Sequence, residues 1–242
     1  VELFNGQNEP PLHSYLCYVN NYSFELVDKL ATARTIDYPL HDPPIANISS
    51  KRWNRRQQKK DATQIDEVID ILMKRKPNLS SLKVFYSLCT GGRADLVKMS
   101  IQAGADPTAA MGLDGSGLLA ATKANSVKVI RYLLEEVKLS PEAGYEVSGK
   151  APIHEVHSIE ALELLLKHGA RLDVRTSYQS SLPILKIAEG YNVDGPNMVA
   201  MMKRLTSLGQ SLQDRSESGA CAEDLLKKRE EPEIQEFLKS LS

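Results

Sequence analysis

The sequence is poor in cysteine and in aromatic residues. It has three cysteines, one tryptophan and four phenylalanines among 242 residues. Cys17, Cys89 and Cys221 lie far apart, and an odd number of widely spaced cysteines does not form a disulfide framework. Free cysteines are typical of a reducing, intracellular compartment, and we predict that all three are small buried hydrophobes. Because 42% of the residues are hydrophobic and only 6% aromatic, we expect a mainly aliphatic core.

The sequence also lacks the features of several other protein classes. No apolar run reaches the roughly 18 residues that a membrane helix requires, no glycine-rich phosphate loop occurs, and we expect no signal peptide. The formal net charge of -1 gives no overall attraction to nucleic acid or to anionic membranes. We therefore expect no membrane insertion and a location in the cytoplasm, the nucleus or both. Because the chain begins at Val1, we expect it to be part of a longer protein, and its oligomeric state stays open.

A helix followed by a glycine stop recurs along the chain. Residues 95–102 place Leu96, Val97 and Ile101 on one helical face, and Gly104 and Pro107 then prevent the helix from continuing. The same stop follows two later apolar runs, as KHGA at residues 167–170 and SLGQ at residues 207–210. The copies are spaced by one or two repeats of about 33 residues, a period typical of stacked helix–turn–helix units.

Four short motifs resemble those of the ankyrin-repeat family. PPLH and APIH are similar to the family's TPLH motif, and GADP and GARLD are similar to its GADVN ending; they occupy residues 10–13, 151–154, 104–107 and 169–173. The resemblance implies that a proline opens the first helix of a unit. It also implies that His13 and His154 help to hold neighbouring turns together.

The predicted fold is an all-α ankyrin-repeat solenoid of about six to seven helix–turn–helix units in one domain spanning residues 1–242. The units are expected at approximately 5–38, 48–81, 82–112, 113–146, 147–178, 179–217 and 218–242. The fifth is clipped after His154, the sixth carries an insertion at residues 190–196, and the last is a cap with a polar outer face. The insertion is either a partner contact or a neutral surface loop.

The second unit is divergent and strongly basic. We expect an extended connection over residues 35–47, and then a helix capped by Ser49 or Ser50. Six basic residues follow within ten positions: Lys51, Arg52, Arg55, Arg56, Lys59 and Lys60. This run is either a functional patch, such as a localisation signal or a contact with phosphate, RNA or an acidic partner, or a solvated segment without a partner. Trp53 within it is predicted to anchor the helix in the core, with an exposed binding hot spot as the alternative.

No pattern in the sequence predicts catalysis. His154 and His157 would share a helical face, but no cysteine or carboxylate at ligand spacing completes a metal site. The acidic pairs at residues 135–136 and 230–231 are predicted to be solvated. We therefore expect no enzyme activity, no metal and no cofactor.

The predicted function is protein–protein recognition, in which the array is a scaffold that binds a partner protein or peptide. The resemblance implies binding through a concave groove and through the tips of the turns, and it gives six tip residues: Met111, Leu113, Ser148, Lys150, Tyr178 and Gln179. The alternative is a module that binds nucleic acid or a phosphorylated ligand, centred on Arg52, Arg55 and Arg56. Guanidinium groups suit phosphate because they donate two parallel hydrogen bonds.

Overall fold

A computed structural model of the chain describes residues 11–19, 21–32, 35–37, 43–58, 60–190 and 192–241. Within these ranges the regular structure is helical and there is no strand, so the predicted all-α class is confirmed. The chain divides into two compact units, Val1–Pro107 and Thr108–Ser242. A single array over all 242 residues stays a prediction, and each unit is described by itself.

The first unit contains three helix pairs. Its helices are α1 Pro11–Tyr18, α2 Phe24–Leu30, α3 Pro44–Gln57, α4 Thr63–Lys74, α5 Leu82–Gly91 and α6 Ala94–Gln102. The first helices of the pairs, α1, α3 and α5, pack side by side, and α2 packs against α4. In α4 the buried residues Ile65, Val68, Ile69 and Leu72 have the helical spacing that the sequence indicates.

The start of α3 differs from the prediction. The helix begins at Pro44, so no cap at Ser49 or Ser50 exists, and the stretch predicted to be extended contains the first turn of the helix. A proline in the first turn costs no hydrogen bond, and the first two turns are held by the burial of Ile45, Ala46 and Ile48. Ser49 lies inside the helix, where its hydroxyl donates to the carbonyl of Ile45 at 2.7 Å.

The second unit contains four helix pairs arranged in two rows. Its α-helices are α7 Gly117–Lys123, α8 Val127–Arg131, α9 Tyr145–Ser148, α10 Ile159–Lys167, α11 Pro183–Ala188, α12 Gly195–Ser207, α13 Ala222–Leu226 and α14 Pro232–Lys239. One row runs from α7 through a 3-10 turn at Pro152–Glu155 to α11 and α13. The other row consists of α8, α10, α12 and α14. Within the two rows, each helix before the last pair therefore packs against the corresponding element of the next pair, and α9 lies in neither row.

The second unit bears on two predictions, the shortened fifth unit and the insertion in the sixth. The fifth unit was expected to have a shortened first helix or a shortened turn after it; the first helix is the shortened element, since only a 3-10 turn at Pro152–Glu155 stands in its place. The insertion predicted at residues 190–196 is shorter than expected, because Asp194 accepts a hydrogen bond from the Asn197 amide and α12 begins at Gly195. Arg229 holds the remaining loop by donating to the carbonyls of Gly190 and Val193.

The second helices of three pairs, α6, α10 and α12, end with the same glycine stop. Gly104, Gly169 and Gly209 have φ values of 101°, 87° and 92°. After each one, the next amide donates to a carbonyl five residues earlier in the helix, at 3.0 or 3.1 Å. A left-handed residue costs a glycine little, and this bond satisfies a carbonyl that the helix end would leave free. The glycine stops predicted from the sequence are confirmed.

The fourth expected unit, residues 113–146, has no glycine directly after its second helix, α8. This helix therefore ends differently. A π-helical turn at Tyr132–Glu136 continues α8, and Lys138 takes the left-handed conformation at φ 63°. The Leu139 amide then donates to the carbonyl of Leu133 at 3.0 Å. The wider turn adds a residue before the chain leaves the helix, and it lets Leu133 and Leu134 both lie in the core.

Candidate functional site

Successive loops of the second unit are joined by hydrogen bonds. We call the loops at residues 108–116, 140–151, 172–182 and 211–221 the loop row. The Ser116 hydroxyl donates to the carbonyl of Ala143 at 2.6 Å. The Ser177 amide donates to Gly149 at 2.9 Å, and the Glu217 amide donates to Gln179 at 3.0 Å. Each loop is therefore bonded to the next, which restrains segments that would otherwise move freely.

His154 adds a buried link between the second and third loops. The Ala151 amide donates to Nδ1 at 3.0 Å, and Nε2 donates to the carbonyl of Val174 at 3.1 Å. The imidazole is 2% exposed, and its burial lowers the pKa of His154, against which the backbone hydrogen bonds act. These contacts match the role expected for this residue. In the first unit, His13 lies against the side chains of Asn47 and Cys17.

The six predicted tip residues are not equally exposed. Leu113 is 86% exposed and Tyr178 is 79% exposed, whereas Met111 and Gln179 are half-buried. Ser148 donates to the carbonyl of Gly144 at 2.9 Å, and the Lys150 ammonium pairs with Glu155 at 3.1 Å. Leu113 and Tyr178 are therefore free to contact a partner, while Ser148 and Lys150 mainly hold the loop together.

A third exposed apolar residue in the loop row was not predicted from the sequence. Val147 is 55% exposed. It follows Leu113 by 34 residues and precedes Tyr178 by 31, which is close to one repeat in each direction. That spacing was the available signal, but the tip was predicted one residue later, at Ser148. Leu113, Val147 and Tyr178 are called the apolar tips.

A cavity of about 600 Å³ lies beside Val147 within the second unit. It is lined by residues from three successive loops and by Arg171, which directly precedes the third of them: Thr108, Ala110, Ser140, Glu142, Ala143, Gly144, Tyr145, Glu146, Val147, Arg171 and Val174. Glu142 accepts a hydrogen bond from the Arg171 amide at 2.9 Å, and the Tyr145 hydroxyl donates to the carbonyl of Arg175 at 2.7 Å. The lining is thus fixed by hydrogen bonds between successive segments, and the cavity is large enough to hold a side chain.

The basic run of the first unit divides into two groups. Arg52 donates to both carboxylate oxygens of Asp66, at 2.7 and 3.2 Å, and to the carbonyl of Gly91. Arg56 donates to the same carbonyl at 3.3 Å. Arg52 and Arg56 therefore satisfy the last carbonyl of α5, a structural use that the sequence did not indicate.

The other basic residues lie elsewhere on α3 and after it. Lys51, Arg55 and Lys60 line a separate cavity, and Lys59 lies outside the described residues. The six residues predicted as one patch are thus not equivalent. Trp53 is half-buried, and its indole Nε1 is enclosed without an acceptor among the described residues, so the expected anchoring is only partial.

Among the remaining candidates for chemistry, Cys89 is buried, Cys221 and Glu135 are hydrogen-bonded, and the Nδ1 atom of His157 is enclosed without a partner among the described residues. In the described part of the chain, no three His, Cys, Asp or Glu side chains come together as a metal site would require. Burial raises the pKa of the Cys89 thiol, and the Cys221 thiol donates to Asp224 at 3.1 Å. Glu135 accepts a hydrogen bond from Lys167 at 3.0 Å, which lowers the pKa of that carboxyl. Over the same residues, no helix is long and apolar enough to cross a membrane.

Substitution of Gly144 tests the contact between the first two loops of the loop row. Its φ is 83°, and a Cβ there would lie 2.8 Å from the backbone nitrogen of Ser116. Gly169 has a similar φ of 87° but open space around it, so it is the matched control. We expect Gly169→Ala to lower the free energy of unfolding by about 1–2 kcal/mol, and Gly144→Ala to lower it by at least about 1 kcal/mol more, from overpacking. Urea denaturation measures both, and equal losses would show that Ser116 does not approach Gly144.

The buried imidazole of His154 predicts that the free energy of unfolding depends on pH. Because the pKa of His154 is lowered in the folded protein, the unfolded chain binds more protons below about pH 6.5. The contribution of this group to stability is therefore complete above that pH and is lost as the pH falls toward its folded-state pKa. We expect His154→Gln, which does not titrate, to have a shallower slope of unfolding free energy against pH in this range. Identical slopes for the two proteins would contradict the burial of a neutral imidazole.

The chain was also compared with known proteins. No family model matches it, and no curated protein matches it significantly. The residues and contacts described above are therefore what bears on its function.

Proposed function

We propose that the chain is an ankyrin-like binding module whose loop row contacts a partner protein or peptide. The proposal joins the resemblance of the four sequence motifs to one structural observation: three apolar tips project from loops that are bonded to one another. The two rows of helices in the second unit, and the glycine stop shared by three second helices, support an ankyrin-like arrangement. The same arrangement is proposed for the helix pairs of the first unit.

Exposed apolar side chains on restrained loops favour binding. An exposed leucine or aromatic ring gains free energy when a partner removes it from water, and it loses less entropy if its backbone is already fixed. Leu113, Val147 and Tyr178 occur once per loop in three successive loops. A partner that followed the loop row would meet one apolar contact at each step, and the cavity beside Val147 would receive one of its side chains.

The proposed activity is binding without catalysis, in an intracellular setting. The loop row gathers apolar side chains, whereas an enzyme requires titratable groups that converge on a substrate. Of the titratable groups that line the cavity, Glu142 and Tyr145 bond to the backbone of neighbouring segments, Arg171 pairs with Asp173, and Glu146 is exposed, so they do not converge on one point. An intracellular location is supported by three free thiols at Cys17, Cys89 and Cys221.

The proposal is tested by replacing the apolar tips together. Peptides that bind the full chain are first selected from a displayed random library, and the tightest one is titrated against Leu113→Ser/Val147→Ser/Tyr178→Ser. We expect this triple variant to bind at least about tenfold more weakly, because buried apolar and aromatic anchors dominate binding energy. Its unfolding free energy should change by only about 0.5 kcal/mol per site, since exposed side chains contribute little to stability.

The matched control removes three exposed apolar residues that lie outside the loop row. Met99, Leu208 and Leu241 are 44%, 42% and 55% exposed. Replacing these three by serine should leave the affinity for the selected peptide unchanged. If the control triple weakens binding as much as the tip triple does, or if the tip triple binds normally, the loop row is not the binding site.

A further inference from the structure

The first unit contains a cavity of about 500 Å³ that is cationic. Its described lining comes from the second half of α3 and from the segments on either side: Tyr22, Lys51, Asn54, Arg55, Gln58, Lys60 and Ile65. Three of these seven side chains are cations, and none is a carboxylate. The lining therefore carries more positive than negative charge, although the whole chain has a formal net charge of only -1. The nearby Asp61 carboxylate, which is not part of the lining, is hydrogen-bonded to Thr63 and also interacts with Arg55; both effects lower its pKa.

Lys51 is a half-buried cation that is held by neutral oxygens. Its ammonium donates to the carbonyl of Val19 at 2.9 Å and to the hydroxyl of Tyr22 at 3.1 Å. It also lies 5.5 Å from the centre of the Tyr22 ring. An ammonium has three N–H donors, so one remains for a ligand. Neither of the two acceptors carries a negative charge that would compensate the buried cation.

The electrostatics around Lys51 agree with an uncompensated charge. Burial lowers the pKa of the Lys51 ammonium, and the nearby Arg55 guanidinium lowers it further, while Cys17 acts in the opposite direction. Burial raises the pKa of Tyr22 to about 12, so its hydroxyl remains neutral at physiological pH. A bound anion would compensate the charge of the half-buried Lys51 ammonium. It would also offset the repulsion between Lys51 and Arg55.

Further donors come from the same side of α3 and from the chain after it. Arg55 donates to the main-chain carbonyl of Asp61 at 3.2 Å, and the exposed Lys60 ammonium makes no side-chain ion pair with the described residues. Asn54 and Gln58 are also exposed, and each has an amide N–H₂ group. Ammonium, guanidinium and amide donors are the groups that bind phosphate oxygens in proteins.

We propose that this cavity binds the phosphate group of a phosphate monoester. A monoester has a charge of about -1.5 to -2 at pH 7 and three acceptor oxygens, which suits three cations around one compact cavity. The proposal concerns the first unit and does not depend on the function assigned to the loop row of the second unit.

The arrangement favours a single phosphate over a nucleic-acid backbone. A nucleic acid carries one negative charge per phosphate along an extended strand, so it requires cations along a track. Arg52 and Arg56 would extend such a track, but both are bonded to the carbonyl of Gly91. The cations that line the cavity are therefore grouped at one point.

The first experiment titrates the full chain with O-phosphoserine. Calorimetry gives the affinity, and NMR of the lysine side chains gives the pKa of Lys51 with and without the ligand. We expect saturable binding and a raised pKa of Lys51, because a bound dianion stabilises the ammonium form. Serine and glutamate are the control ligands and should not bind. If O-phosphoserine does not bind, or if it binds without changing Lys51, the proposal is wrong.

The second experiment uses a double variant that leaves Lys51 and its contacts in place. We expect Arg55→Gln/Lys60→Gln to weaken the binding of O-phosphoserine by about tenfold or more, since two charge-assisted hydrogen bonds are removed. The control Lys74→Gln/Lys83→Gln removes two charges from exposed lysines elsewhere in the first unit and should bind normally. Equal weakening in both variants would show a general charge effect and would overturn the assignment of the site.

Further ligands distinguish the sources of the phosphate. Inorganic phosphate and a short phosphoserine peptide are compared with a ten-nucleotide single-stranded RNA. Tighter binding of the peptide indicates a phosphorylated protein, and equal binding of inorganic phosphate indicates a small metabolite; both support the proposal. If the RNA binds and loses affinity in Arg55→Gln/Lys60→Gln while O-phosphoserine does not bind, the site is a nucleic-acid contact and the proposal is overturned.

Discussion

The hydrogen bonds between successive loops are the interaction on which the proposed binding surface depends. A loop alone would pay a large entropic cost to hold an apolar side chain in water at a fixed position. In the second unit each loop is bonded to the next through Ser116, Ser177 and Glu217, and His154 adds a buried link. These bonds depend on the stacking of the helix pairs, because the stacking sets the distance between loops. The two rows of helices therefore determine the positions of Leu113, Val147 and Tyr178.

The basic residues of α3 form two groups that make different contacts. Positions 52 and 56 are one turn apart, and both side chains reach the carbonyl at the end of α5. Positions 51 and 55 are also one turn apart, and both line the cavity. The helical period thus separates residues that are adjacent in sequence into a structural pair and a cavity-lining pair. A variant that removes Arg52 also removes its bonds to Asp66 and Gly91, so it would test the fold of the first unit before it tested any ligand.

Local signals predicted much of this architecture. The glycine stops depend on residues within one or two turns of each other, so the sequence contains the necessary information. The start of α3 was missed because a proline-rich segment is typical of an extended chain, whereas burial of Ile45 and Ile48 made Pro44 the first turn of a helix. The division of the basic run depends on Gly91, which lies more than thirty residues away, and sequence alone does not indicate that contact. Val147 was missed by a single residue because the helical turn α9 sets which side chain points outward.

Amide hydrogen exchange in the loop row tests the central claim most directly. The Ser177 and Glu217 amides lie in loops, yet each donates to the preceding loop. We predict that both exchange at least about a hundredfold more slowly than unprotected amides, because exchange requires opening of the contact between loops. If both exchange at the rates of unprotected loop amides while the helices of the second unit stay protected, the loops are not bonded to one another. The apolar tips would then have no fixed arrangement for a partner to recognise.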